Sequence, residues 1–596
     1  MNTNSEIRKK EPKKSFKEKL FEIWRDKRTF KKRLIIAAFP IFFFYFTFVF
    51  FGPFEIAMSN AESIIFSPAR VASTMGILTV VLFVLTTLLV SLLKGKVYNY
   101  VLSAIFGAGV SGYIQGSVLN GEIMGALTGD AIAWQEMAGE MVLNLAIWGI
   151  IILAVYILLY FSRKYWRITM KYVSLLIILM QVVGLISIFV MPKTGGTYDS
   201  VTIDSDVYFS KDGQASFSDS NNLLIIVLDR LDYDYIEDVL EDDPKFFDKL
   251  TGFTSYTNAT SEFARTEPAM NNILTCLGGK DAYMLGKKDY FDSSWTKLTG
   301  KSSLELLSSA GYTLGIYGDI STMFGESAEQ LEYVENISFE QEKVNYTALV
   351  ENMLKISAYR YVPLSMKPFY WCYSDDVSSG VYTESERYVI DEAEYYIDLD
   401  ESFSSETSEK QFKLIHFNGP HAPYTLDETG KRVPLGTDVL KQTKGSFHIL
   451  FELFDKMKES GIYDNTEIFI LGDHGSAVSD TKPLQKATRI GLFHKPAGES
   501  DEALKYSDAP VSQLNVMPTI LRAAGVENYE EFGTPIDEVE NDNVRYYYKS
   551  VVKRVTEGGN NHEAKVYVYK ITGDASDFKN WEQINVYDVG DNCWFY

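Results

Sequence analysis

Five long apolar runs, all in the first third of the chain, constrain its fold more than any other feature. They are Leu34–Phe51, Val71–Leu93, Val97–Leu119, Val142–Phe161 and Tyr172–Met191. Each is about 20 residues, the length at which an α-helix crosses a hydrocarbon layer of ~30 Å. No run of that length follows Lys193. A soluble core rarely uses such runs in succession, so they predict a five-helix membrane domain over residues 34–192 and a water-exposed remainder.

The charges between the runs predict the orientation. Residues 1–33 hold 13 Lys/Arg against 5 Asp/Glu, the loop after the second run is Lys94-Gly95-Lys96, and the loop after the fourth holds Arg163, Lys164, Arg167 and Lys171. Residues 120–140 hold Glu122, Asp130, Glu136 and Glu140 and no Lys or Arg. Basic loops stay on the cytoplasmic side, so the basic N-terminus, residues 1–33, is expected there. An odd number of crossings then puts everything after Met191 outside. The first run contains Pro40 among bulky aromatics and lacks a small-residue cleavage site, which reads as an uncleaved anchor rather than a signal peptide. In the third run, Gly107, Gly109 and the Gly112-x-x-x-Gly116 spacing suit close helix packing.

The net charge is −22, and setting aside the +8 of residues 1–33 leaves −30 on the rest. Such an acidic surface argues against nucleic acid or an anionic membrane as a bulk-charge partner. The three cysteines, Cys276, Cys372 and Cys593, form no C-x-x-C and no disulfide framework, though a pair such as Cys276–Cys372 stays open.

Past the membrane half, residues 193–220 are rich in Gly, Ser, Asp and Thr and read as a linker. The apolar run Leu223–Leu228 predicts a buried strand ending at Asp229, followed by a helix over 231–250. In Arg265-Thr266-Glu267-Pro268-Ala269-Met270-Asn271-Asn272, Pro268 suits the first turn of a helix running to Leu277. That places Thr266 just ahead of a helix N-terminus, where backbone N–H groups favour an anion. A helix from residue 303 and a strand Thr313–Tyr317 follow. Residues 326–400, mixed and aromatic-rich, read as an insertion or cover over the substrate region. A strand over 412–417 runs into a loop with His416 and His421, residues 446–460 read as a helix, and the strand Ile468–Leu471 delivers Gly472-Asp473-His474-Gly475. The alternation predicts an α/β domain over 221–530 with a mostly parallel sheet. Alternating aromatic and β-branched residues from Arg545 predict a small antiparallel sheet within 531–596.

Ligands of open α/β sheets bind at the carboxyl ends of the strands. Asp229, His416, His421, Asp473 and His474 all fall there, with Thr266 nearby. Each alone reads as well as loop polarity or a helix cap. His448 and His494 read as structural and His562 as solvated. Taken together, carboxylate, imidazole and hydroxyl suit one divalent ion, Mn²⁺ or Zn²⁺ in preference to a soft-metal site, with Mg²⁺ as a further alternative. Such an ion would lower the pKa of the Thr266 hydroxyl and make it a nucleophile.

In their order, the strand ending in Asp229, the Thr266-Glu-Pro-Ala-Met-Asn-Asn segment, His416-Phe-Asn-Gly-Pro-His421-Ala-Pro-Tyr424, Leu471-Gly-Asp473-His474-Gly and Val516-Met-Pro-Thr-Ile-Leu…Gly525 resemble the sulfatase-type branch of the alkaline phosphatase superfamily. With five helices in front, the chain resembles lipoteichoic acid synthases and related phosphoglycerol or phosphoethanolamine transferases. The resemblance implies Asp229, Thr266, Asp473 and His474 as metal ligands and Thr266 as nucleophile. It implies His421 as a substrate-binding group and, more weakly, His416, with Arg265 and Asn272 beside them. It also implies a phospholipid donor and a glycan or polymer acceptor. Two departures stand out. Sulfatases carry Cys or Ser in C/S-x-Pro-x-Arg, whereas this chain has Thr266 and Met270, and threonine cannot give formylglycine. At the first strand end, where sulfatases often pair aspartates and lipoteichoic acid synthases carry a glutamate, it has Asp229-Arg230, which favours one metal over two, with Asp232 as an alternative ligand. Transfer to an acceptor, hydrolysis through the same covalent intermediate, and a non-catalytic sensor or scaffold on this fold all remain readings of the sequence.

Overall fold

The computed structural model describes residues 26–59, 64, 66–120, 134–190, 207–279, 281–295, 300–325, 329–338, 343–372, 377–378, 380–383, 387–433, 437–476, 482–554 and 562–589. The basic stretch 1–25, the acidic loop residues Glu122 and Asp130, residues 193–206 of the expected linker and Cys593 lie outside them. The chain forms two compact units. One is Met1–Met191 with Lys343–Thr383, and the other is Pro192–Glu342 with Glu384–Tyr596.

The first unit holds five helices long and apolar enough to cross a membrane. Helix α1 runs from Phe30 to Tyr45, widens to a π-helix over Phe46–Phe51 and continues as Gly52–Ser59. It is followed by α2 (Pro68–Leu92), α3 (Gly95–Ile114, with a π-helical end to Leu119), α4 (Ala138–Phe161) and α5 (Arg163–Val190). Arg163, Lys164, Arg167 and Lys171, expected in a loop, form the first turns of α5, and Ser162 alone separates the two helices. The glycines of α3 work as packing sites: a Cβ on Gly109 would stand 2.9 Å from the Phe43 ring of α1.

Residues 343–383 differ most from expectation, because they pack within the five-helix unit. Helix α8 (Tyr346–Tyr361) buries Leu349, Met353 and Ile356 in one cluster with Val49, Ile56, Phe66, Val71 and Met75. The apolar spacing 349, 353, 356 gives the helix one oily face, and that face takes the helices as its core.

The second unit is built on a seven-stranded sheet. Its strands are β1 (Asn222–Leu228), β2 (Thr254–Tyr256), β3 (Tyr312–Tyr317), β4 (Lys410–Phe417), β5 (Thr466–Leu471), β6 (Leu492–Lys495) and β7 (Lys505–Ser507). Their order is 7-2-6-5-1-4-3, parallel except where β6 meets β5 and β2. β1 and β5 are buried at every position, as expected of central strands covered on both faces. Helices α6 (Tyr233–Asp242), α7 (Thr266–Thr275), α9 (Glu392–Ser402), α10 (Val439–Glu459) and α11 (Val516–Ala523) belong to this unit. Part of the expected linker is folded here, since Ser216–Ser218 pairs with Ser404–Thr407. The C-terminal sheet consists of β8 (Val544–Arg554), β9 (His562–Thr572) and β10 (Trp581–Asp588), antiparallel throughout.

Register brings the chemistry to one edge. Val227 of β1 lies beside His416 of β4 and Leu471 of β5, so all three strands release their chains at the same level.

Candidate active site

Three sharp turns at that edge gather the polar groups. After β1 the chain bends at Arg230, whose left-handed φ of 61° is rare for a residue with a side chain. This bend aims the Arg230 N–H at Asp473 Oδ1, 2.8 Å away. After β4 the turn uses Gly419, φ 53°, where a Cβ would stand 2.8 Å from the Asp229 nitrogen. After β5, Gly472 presses against Leu231, and a Cβ there would stand 2.5 Å from its carbonyl oxygen. Glycine at both positions lets three backbones meet closely enough to share one cluster.

Asp229, His416 and Asp473 each place a ligand atom within 4.8 Å of the others. His416 Nε2 lies 3.7 Å from Asp229 Oδ2, and His474 Nε2 lies 3.7 Å from both Asp229 Oδ1 and Asp473 Oδ2. Thr266 opens α7, and its hydroxyl donates a long hydrogen bond, 3.5 Å, to Asp229 Oδ2. His474 Nδ1 faces the Gly475 carbonyl at 2.9 Å. Because a carbonyl only accepts, that contact puts a proton on Nδ1 and turns Nε2 toward the carboxylates.

Asp229 Oδ1, Asp473 Oδ2 and both ring nitrogens of His416 are shut off from solvent with no hydrogen-bond partner. An unsatisfied buried polar atom costs about 1–3 kcal/mol. Carboxylate oxygens and an imidazole gathered in this way fit one divalent cation, which would satisfy them together. Burial alone would raise the Asp229 carboxyl, but the imidazoles of His421, His416 and His474 more than offset it and hold it well below the usual carboxylate range. Burial pushes the His416 imidazole down, but Asp229, Asp473 and Asp319 outweigh it and leave the group above its ordinary value.

The other sequence-derived residues are placed as follows. His416, read as a substrate group, stands at a ligand position. His421 is half-buried in the loop that begins at Asn418, which accepts its N–H at 3.1 Å. Arg265 is the residue before the first turn of α7. Asn272 is fully buried and accepts from the Gly278 N–H at 2.8 Å, which ties it to the C-terminal turn of α7. Asp232, the alternative ligand, is engaged elsewhere: its oxygens accept from the Asp234 N–H, the Ser476 N–H and the Ser476 hydroxyl. It starts α6 and secures the chain beyond His474.

The positioning groups were not evident in the sequence. Glu392, on α9, accepts from the N–H groups of Asn418 (3.1 Å) and Gly419 (2.8 Å) and from the Ser446 hydroxyl (2.8 Å). Gln442 donates to the Gly419 carbonyl and accepts from the Thr425 and Leu426 N–H groups. Together they clamp both ends of the histidine loop. Gln513 donates to the carbonyls of Gly472, at 3.1 Å, and Asp473. The available signal was weak, a glutamine and an asparagine in Ser512-Gln513-Leu514-Asn515 just ahead of α11.

A family model described as sulfatase matches residues 221–526. A stretch of the chain is 28% identical over 139 residues to the lipoteichoic acid synthase of Staphylococcus aureus (strain USA300), covering 20% of this chain and 21% of that one. The chain thus matches about a fifth of that curated relative's length. Among solved structures, it is similar to the lipoteichoic acid synthase LtaP from Listeria monocytogenes, at 14% identity and TM-score 0.32 over 62% of this chain and 88% of that one. It is also similar to the phosphonate monoester hydrolase SpPMH from Silicibacter pomeroyi, at 14% identity and TM-score 0.36 over 62% and 89%.

Proposed function

Because the chain belongs to the sulfatase family, whose model matches about half of it, we propose that its outer domain transfers phosphoglycerol or phosphoethanolamine from a membrane phospholipid to a cell-envelope glycan or polymer. The transfer runs through a covalent phospho-threonine at Thr266, outside the cell, with the N-terminus in the cytoplasm. The observation that carries this reading is a threonine hydroxyl at a helix N-terminus, facing a carboxylate–imidazole cluster with unsatisfied buried atoms. The five helices and the partial likeness to a lipoteichoic acid synthase support it.

Asp229, Asp473, His474 and His416 would hold one divalent ion, manganese with zinc or magnesium as alternatives, which when bound neutralises phosphate charge and acidifies the Thr266 hydroxyl. Thr266 Oγ attacks the phosphorus of the headgroup diester and passes its proton to Asp229 Oδ2, which already accepts its hydrogen bond. The new Thr266 O–P bond forms as the P–O bond to the diglyceride breaks, and the diglyceride oxygen takes a proton from His421. An acceptor hydroxyl then attacks the same phosphorus and returns its proton to His421, and the Thr266 O–P bond breaks as Thr266 Oγ takes its own proton back from Asp229. The N–H groups at the start of α7 stabilise the phosphate oxygens.

The test is mass spectrometry of the full chain after reaction with phosphatidylglycerol or phosphatidylethanolamine, with and without an envelope glycan. The reading predicts a phospho-alcohol adduct on Thr266 that the glycan discharges. Turnover at the same rate without any glycan would make the enzyme a hydrolase, and turnover with no adduct would remove the covalent route.

A further inference from the structure

The excursion at 343–383 lies inside the stretch matched to the sulfatase model, yet it is built into the five-helix unit. Its elbow, Arg360–Leu364, leaves α8 and turns sharply. The Tyr361 ring lies edge-on to Phe48 of α1 at 4.9 Å between centroids. A Cβ on Gly52 or Gly116 would stand 2.5 Å from the Tyr361 ring, and one on Gly112 would stand 3.2 Å from its carbonyl oxygen. Gly112 is seven residues before the end of the span at Leu119, so the elbow reaches about 10 Å below that end at 1.5 Å per residue.

Irregular backbone at that depth must find partners in the protein, because hydrocarbon offers none. The five-helix unit supplies them. Asn120 donates to the Arg360 carbonyl at 3.0 Å, and Asn144 Oδ1 accepts from the Leu364 N–H at 2.9 Å. Gln115 joins the two by donating to Asn120 (2.9 Å) and accepting from Asn144 (2.8 Å) and the Trp148 indole (3.0 Å). Ser357 donates to the Phe48 carbonyl within the π-helical stretch of α1 at 2.6 Å. Arg360 pairs with Glu55. Every one of these helix positions is at the same end of the bundle: the C-terminal ends of α1 and α3 and the N-terminal end of α4. The chain leaves α5 at that end too.

Beyond the elbow, Met366, Pro368 and Phe369 turn outward, and Phe369 is 80% exposed. On α4, on either side of the Asn144 that grips the elbow, Val142, Leu143 and Leu145 are exposed as well. Their surface is the lipid-facing side of a membrane helix, and the arm's apolar tip continues it.

We infer that residues 346–371 form a re-entrant arm locked into the end of the helix bundle by Gln115, Asn120 and Asn144, with Met366, Pro368 and Phe369 facing phospholipid acyl chains. The inference is independent of the reaction chemistry.

The test uses the full chain with its three cysteines replaced, reconstituted in phosphatidylglycerol–phosphatidylethanolamine liposomes. A nitroxide is placed at Phe369→Cys, with Leu153→Cys on α4 as the lipid reference and Glu582→Cys on β10 as the aqueous one. The arm predicts that the Phe369 label, like Leu153, collides more often with oxygen than with a water-soluble nickel chelate. A Phe369 label that matches Glu582 overturns the inference. Met366→Cys gives the same decision if Phe369→Cys does not fold.

Discussion

Gln115 in the five-helix unit and Asp473 in the outer unit are both closed off from water, but their partners differ. Gln115 bonds to Asn120, Asn144 and Trp148, and through them to the elbow of the arm. Asp473 uses Oδ1 for the N–H groups of Arg230 and His474, while Oδ2 points at a second carboxylate and two imidazoles with no donor. The first network is complete and can only hold structure. The second is incomplete in a way that a cation completes. Within one chain, satisfaction of buried polar atoms separates a fastener from a binding site.

That contrast breaks if changes in the cluster unfold the protein or changes in the fastener leave it untouched. The largest effect is expected at the cluster: Thr266→Ala and Asp473→Asn each lower turnover by about 10³-fold or more. Asp473→Asn leaves the metal-free melting temperature unchanged or raised, because one of two facing carboxylates is gone. Turnover assays beside thermal scans check both.

A buried acid outside the cluster sharpens the comparison. Burial raises the Glu262 carboxyl to about 7 from an ordinary 4.5, against one hydrogen bond from the Gly279 N–H. The native chain therefore holds that proton where the unfolded chain has lost it, and stability falls as pH rises from about 4.5 to about 7. The loss is on the order of 3 kcal/mol. Glu262→Gln should flatten that slope in denaturant melts at pH 5 and pH 8.

At the fastener, Gln115→Leu strands Asn144, Asn120 and the Trp148 indole. The expected loss is about 2 kcal/mol, read by thermal unfolding in detergent. The smallest effect is expected at the clamp: Glu392→Gln keeps one acceptor for two N–H groups and should lower kcat about tenfold with little change in KM.

The sequence was most legible where physical chemistry is local. The apolar runs marked the spans, and the runs 223–228, 412–417 and 468–471 marked the three strands that converge on the site. Strand-end residues at that edge then gave Asp229, Asp473 and His474, which the structure brings together. That His416 stands within the same cluster was not legible, because its place beside Val227 follows from inter-strand register, which a single strand does not reveal. Glu392 and Gln442 were invisible for the same reason, since they act on a loop from helices distant in sequence. Residues 326–400 read only as an insertion or cover, and nothing local said that the helix within them would pack against membrane helices.

The most direct test of the claim that the orphaned cluster is a cation site is metal content, measured on the full chain purified without added metal and after chelation and Mn²⁺ titration. The account predicts one Mn²⁺ per chain, recovered activity on titration, and loss of both in Asp473→Asn. A fully active chain with no bound divalent ion would contradict it.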